Sequence, residues 1–266
     1  MTSLPDLDKL SYAELEKLII KIVYARLKPL GFRKHGKTLH RFVDGDISQT
    51  VYFVSKINNP YLPDMFWINI GIRVPECDLR RFVIPEQTQK YYHFATSHLR
   101  GSLFIDKSGD GTCIYFQKTD PQQLIDTVME RLENKIIPAF DVLSNRDNII
   151  NHKEEEEASC FHLHHKHLIR IYDSMILGRR GNLDEATKLF KSHYQDSLAE
   201  YNDRYENGSQ KYLLKGDTIH YKNQKTQKNE TIIAPHDGYY TLFDANRGHV
   251  DYLEKLAKEL GIDLNE

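Results

Sequence analysis

What this sequence has little of narrows it first. Its 266 residues hold three cysteines, Cys77, Cys113 and Cys160. They are widely spaced and form no C-x-x-C pair, which argues against a secreted disulfide framework or a Cys-rich zinc module and for a reducing compartment. Long apolar runs are missing too. The most apolar window near the start, residues 15–30, is broken by Glu16, Lys17, Lys21, Arg26 and Lys28 and falls short of the ~20 residues of a membrane span. The opening MTSLPDLDK has acids where an export signal carries a basic start and an apolar stretch, so a cytoplasmic, membrane-free protein is expected. Charge of one sign is also absent. Lys plus Arg is 36, Asp plus Glu is 38 and the net charge is -2, leaving no global excess to draw the chain to nucleic acid or an anionic membrane. No phosphate-binding G-x-x-x-x-G-K-[ST], no G-x-G-x-x-G after a strand and no G-x-S-x-G nucleophile motif occurs.

What is present is ordinary globular material, 40% hydrophobic and 11% aromatic, at a length that fits one large domain or two modest ones. Leu15, Leu18, Ile19, Ile22, Leu27 and Leu30 recur at helical steps behind a Ser11/Glu14 capping box, with Gly31 as the stop. Residues 38–42, 48–56 and 65–73 read as strands, the last alternating Phe66, Ile68, Ile70 and Ile72 with Trp67, Asn69 and Gly71, and Asp44-Gly45-Asp46 turns between the first two. Short strands near 102–106 and 112–117 flank a second turn. A helix over 120–143 follows, with a kink expected at Pro138. The polar stretch 144–157 suggests a boundary at about 150. Beyond it, residues 161–177 and 183–205 read as a helical hairpin around Gly178-Arg179-Arg180-Gly181, with Asn182 and Glu185 capping its second helix. Strand-like pieces at 218–221, 231–234 and 239–243 and a helix over 248–260 close the chain. The expected class is α+β. An N-terminal helix packs on an antiparallel sheet with a closing helix in residues 1–150, and a helical hairpin with a small mixed segment fills 151–266.

Several of these residues carry a resemblance. The run Leu27-Lys28-Pro29-Leu30-Gly31-Phe32-Arg33-Lys34-His35-Gly36-Lys37-Thr38, then Arg41-Phe42, Phe66 to Ile72 and Ile136-Ile137-Pro138-Ala139-Phe140, resembles the bacterial family called domain of unknown function 4304 over residues 10–145. The resemblance implies the same helix, sheet and helix. It implies no established activity, only a loose association with toxin-neutralising or defence proteins. Gly181 to Ala186 with Phe190 is similar to the opening of a tetratricopeptide helix, but Arg170, Asp173 and Ser174 stand where the preceding helix of that repeat has Trp, Leu and Gly, and no second copy follows.

Two groups of residues are candidate sites. Arg33, Lys34, His35, Lys37, His40 and Arg41 form a basic cluster with no acid before Asp44, suited to steering an acidic protein partner. His162, His164, His165 and His167 follow four consecutive glutamates, Glu154 to Glu157. On a helix His164 with His167, or Cys160 with His164, shares a face that a transition metal such as zinc can use. Asp106 to Gly111 opens like a calcium loop, but Gln117 stands where a bidentate Glu is required, so a hairpin turn is the expected reading. The favoured function is a protein-binding module with no resident cofactor. The alternative is a metal-dependent hydrolase or nuclease built on the histidine segment.

Overall fold

The computed structural model describes residues 7–57, 63–82, 91–103, 114–153, 158, 160–163 and 168–265. The chain forms two compact units, Met1–Tyr172 and Asp173–Glu266, dividing beyond the polar stretch that suggested a boundary near 150.

In the first unit the Ser11 side chain caps α1 (Tyr12–Leu27) by accepting from the Glu14 backbone N–H, and the Ser11 backbone N–H donates to the Glu14 carboxylate at 2.9 Å, a reciprocal pairing that satisfies two otherwise orphaned donors. Gly31, at φ 88°, ends the turn that follows, in a left-handed conformation that costs other residues dearly. Then come β1 (Arg33–His35), β2 (Thr38–Val43), β3 (Ile47–Lys56), β4 (Met65–Arg73), α2 (Pro75–Leu79), β5 (Leu99–Ser102), β6 (Ile114–Tyr115), α3 (Pro121–Arg131), α4 (Ile137–Val142), α5 (Arg146–His152), β7 (Phe161–Leu163) and the first residues of α6 (Ile169–Arg179), which from Asp173 belongs to the second unit. The strands make one antiparallel sheet in the order β1-β2-β3-β4-β5-β7, with β6 also on β4. This is the expected α+β class.

Period-two alternation gives the sheet two chemically different faces. On one, Leu39, Val51, Phe53, Phe66, Ile68, Ile70 and Ile72 are buried. Phe66 meets Phe116 at 5.8 Å, and Phe116 stacks on Tyr12 of α1 at 4.9 Å. Gln49 shares this face. Its Nε2 donates to the carbonyls of Phe140 (2.6 Å) and Leu143 (3.1 Å), so a buried amide satisfies the end of α4 and is itself satisfied. Residues 132–136, between α3 and α4, widen into a π-turn just before Pro138, the local form taken by the expected kink, since Pro138 has no N–H for the α ladder.

One helix expectation is corrected. The helix read from Phe161 starts at Ile169, and Phe161–Leu163 is instead β7, paired with β5 in the register Leu99↔Leu163, Arg100↔His162, Gly101↔Phe161. A Cβ on Gly101 would lie 1.9 Å from the Cys160 carbonyl, so only glycine admits this approach. Three residues are too few for alternation to show against a helical pattern. The turn Asp106 to Gly111 lies outside the described residues.

In the second unit, α6 leads through Gly181 to α7 (Leu183–Asn207). The Ser174 hydroxyl donates to the Ala186 carbonyl at 2.8 Å, and Ala186 and Phe190 are fully buried. Asn182 takes the N-cap position, but its side chain makes no cap bond, a departure from the capping expected of it. Then β8 (Ser209–Leu213) pairs with β11 (Gly238–Leu242) around β9 (Thr218–Lys222) paired with β10 (Asn229–Ile233), two nested hairpins before α8 (Gly248–Leu260). Val250, Leu253, Leu256 and Ala257 bury one stripe of α8. No described helix is long and apolar enough to cross a membrane.

Candidate functional site

The basic cluster sits on the β1–β2 hairpin at one edge of the sheet, and the fold splits it. Arg33, Lys34 and His35 are exposed along β1. Lys37, in the two-residue turn, is exposed but tied to α1. Its Nζ donates to both oxygens of buried Glu16 (2.7 and 2.9 Å) and to Ser55 Oγ (2.9 Å). Arg41 lies on the core side, donating to the Leu30 carbonyl (3.0 Å), Gln49 Oε1 (2.7 Å) and Asp141 Oδ1 (3.0 Å), with its guanidinium over the Phe32 ring. His40 is buried, and burial, reinforced by His35 and Arg33, holds its imidazole below the usual range. The six residues therefore do not form one cationic surface. Arg33, Lys34 and His35 face solvent unpaired among the described residues, Lys37 is exposed but ion-paired to α1, Arg41 ties the sheet to α4, and His40 is buried.

The other face of the sheet is polar, and sequence reasoning missed it. Following the cross-strand register, one row runs Phe42, Ser48 and Arg73, the next His40, Thr50, Gly71 and Arg100, and the next Thr38, Tyr52, Asn69 and Ser102. Rings from the segment before β5 lie over these rows. Tyr91 stacks on His35 at 3.9 Å and sits 5.7 Å from His40. Tyr92 lies 3.7 Å over the Arg73 guanidinium, and His93 meets Tyr52 at 4.7 Å. Ser48, Thr50 and Arg73 are nearly inaccessible, yet Ser48 Oγ, His40 Nδ1, Ser97 Oγ and Arg73 Nε and Nη1 have no hydrogen-bond partner among the described residues. The signal available beforehand was the second half of the alternation: Ser48, Thr50, Asn69 and Arg73 are polar where strands exposed to a second apolar layer would carry more Val and Ile.

His98 adjoins this face. Its Nδ1 accepts the Val74 backbone N–H at 3.1 Å, and its ring meets Tyr172 at 5.1 Å. Burial pushes its pKa down to about 3; the guanidinium groups of Arg73, Arg80 and Arg100 act in the same direction and Asp78 opposes them. The folded value lies below the unfolded one of about 6.5, so between those limits the unfolded chain holds a proton that the folded chain refuses. Stability is thus lost as pH falls through that window, by up to ~1.4 kcal/mol per pH unit from this group. Melting followed from pH 7 to pH 4.5 is expected to drop more steeply for the wild type than for His98→Asn. Parallel curves would contradict this assignment.

The His162 side chain and all of His164, His165 and His167 lie outside the described residues, as does Glu154 to Glu157. Burial raises the Cys160 thiol to about 12, which keeps it protonated and a poor nucleophile at neutral pH. Among the described residues no three His, Cys, Asp or Glu side chains are grouped to hold a metal ion. No family model, curated protein or solved structure matches this chain.

Proposed function

We propose that this chain is a protein-binding module that captures an acidic partner along β1. The observation that carries the reading is the run of three exposed cationic or titratable side chains, Arg33, Lys34 and His35, on an edge strand, with no ion pair to any of them among the described residues. Their neighbours Lys37 and Arg41 are neutralised by Glu16 and Asp141, so the positive charge left over is concentrated on the outer strand. Charge on a short edge strand discourages pairing with another sheet. The same charge attracts an acidic segment, whose extended backbone the free edge can pair. A toxin-neutralising or defence-associated role, implied by the family resemblance, is the specific form this proposal takes.

The test is capture of partners from the source cells by the full chain, beside Arg33→Glu/Lys34→Glu, at low and high salt. Both side chains are exposed, so the double variant should fold with stability changed by no more than roughly 0.5 kcal/mol per site. Wild-type protein is expected to retain an acidic partner at low salt and to lose it as salt rises, while the variant retains little at either. Equal capture of the same proteins by both forms at both salts would overturn the proposal.

A further inference from the structure

The polar face of the sheet carries an unfinished hydrogen-bond set centred on Arg73. This residue is 4% exposed. Its Nη2 donates to Asp78 Oδ2 at 2.7 Å, while Nε and Nη1 have no partner among the described residues. Stacking under Tyr92 at 3.7 Å engages the flat of the guanidinium and leaves these in-plane donors unused. Directly across the ladder stands Ser48, fully buried with its hydroxyl unpartnered. Paired positions on one face of an antiparallel ladder hold their Cβ atoms about 4.5 to 5.5 Å apart, so one small group can meet both side chains. Leaving such buried groups unpaired is costly, most of all for a charged one, and bound water or a ligand can repay that cost.

We propose that Arg73 and Ser48 bind an oxyanion, the carboxylate or phosphate group of a small molecule, on the polar face of the sheet. The chemistry selects that class. Arg73 is a cation with donors to spare, Ser48 supplies one more O–H, and only a group with several lone pairs and negative charge answers both. Asp78 neutralises only part of the guanidinium, since it is itself 40% exposed and takes a single nitrogen. Phe42, beside Ser48 in the register, and Tyr92, which meets Phe42 edge-on at 6.2 Å, wall the site with apolar surface. That wall suits an anionic group attached to a flat or apolar body. The site is centred on β3 and β4, and it does not depend on the partner proposed for β1.

The proposal is tested by calorimetric titration of the full chain with inorganic phosphate and, separately, with acetate, at ionic strength held constant with chloride. Wild type is expected to bind at least one of them saturably, and the one that binds identifies a phosphorylated or a carboxylate ligand. Ser48→Ala is the decisive variant. The Ser48 hydroxyl has no partner among the described residues, so its loss should leave melting unchanged while weakening the anion about threefold to tenfold, the worth of one hydrogen bond. Arg73→Lys, which keeps charge but loses the planar fork, should weaken binding further, and the Arg73 Nε–H resonance of wild type should move during the titration. Saturable binding weakened by Ser48→Ala supports the site. Absence of saturable binding of either probe, or binding that Ser48→Ala leaves unchanged, overturns it and reduces these groups to hydrated structural side chains.

Discussion

Arg146→Ala is expected to unfold the first unit. Arg146 opens α5 and is buried. Its Nε and Nη2 donate to the two oxygens of Glu76 (2.5 and 3.0 Å), Nη2 also to Asp46 Oδ1 (2.6 Å) and Nη1 to Asp44 Oδ2 (2.9 Å). Burial by itself works against the charge, but the bonds to Glu76 and Asp46 outweigh it and hold the guanidinium above its ordinary range. Glu76 is fully buried. Truncation takes away the cation that meets both oxygens of that buried carboxylate, and withdraws it from Asp46 on the β2–β3 turn as well. Breaking a buried pair from one side costs about 3 to 5 kcal/mol, against a total of about 5 to 15 for a domain. Urea unfolding of Arg146→Ala should show the loss directly, and a midpoint equal to wild type would show that this network is incidental. Arg146→Lys should recover part of the loss, because an ammonium keeps the charge but cannot serve three carboxylates at once.

Ile70→Asp is expected to fail in the same unit for a different reason. Ile70 is fully buried at the centre of the apolar face, opposite Val51 on one side and Gly101 on the other. The substitution removes a packed side chain, worth about 2 to 5 kcal/mol when truncated, and inserts a carboxylate that has no described cation to meet it. The two losses together exceed the stability of many domains, so no cooperative melting transition should remain. Ile70→Val should cost only about 0.5 to 1.5 kcal/mol. Soluble Ile70→Asp protein with wild-type melting would mean that the strand register is wrong.

These two residues mark what could be read in the sequence. The burial of Ile70 follows from four isoleucines and phenylalanines at alternate positions, a local pattern that needs no tertiary information. The capping box, the Gly31 stop and the α+β order are equally local. Arg146 carried no such sign. Its partners at 44, 46 and 76 are far away in sequence, and it stood in a polar stretch that looked like a solvated boundary. The same blindness to distant partners made Lys37 and Arg41 look like free cations, when Glu16 on α1 and Asp141 on α4 claim them. The strand at Phe161–Leu163 was hidden because its formation depends on Gly101, some sixty residues earlier. The polar sheet face was half legible, since alternation places Ser48, Thr50 and Arg73 on one side, but only the fold buries them beneath Tyr91 and Tyr92.

The division of labour proposed for the molecule, an apolar face that holds the unit together and a cationic edge that recruits a partner, is tested most directly by the association rate of the captured partner. Charge that steers an encounter acts on the on-rate and is screened by salt, whereas charge that is merely solvated affects neither. Rates should be measured for wild type and Arg33→Glu/Lys34→Glu at low and high ionic strength. The account predicts association about tenfold or more slower for the variant at low salt, a difference that shrinks as salt rises, and dissociation rates that stay close. Equal association rates at both ionic strengths would contradict it.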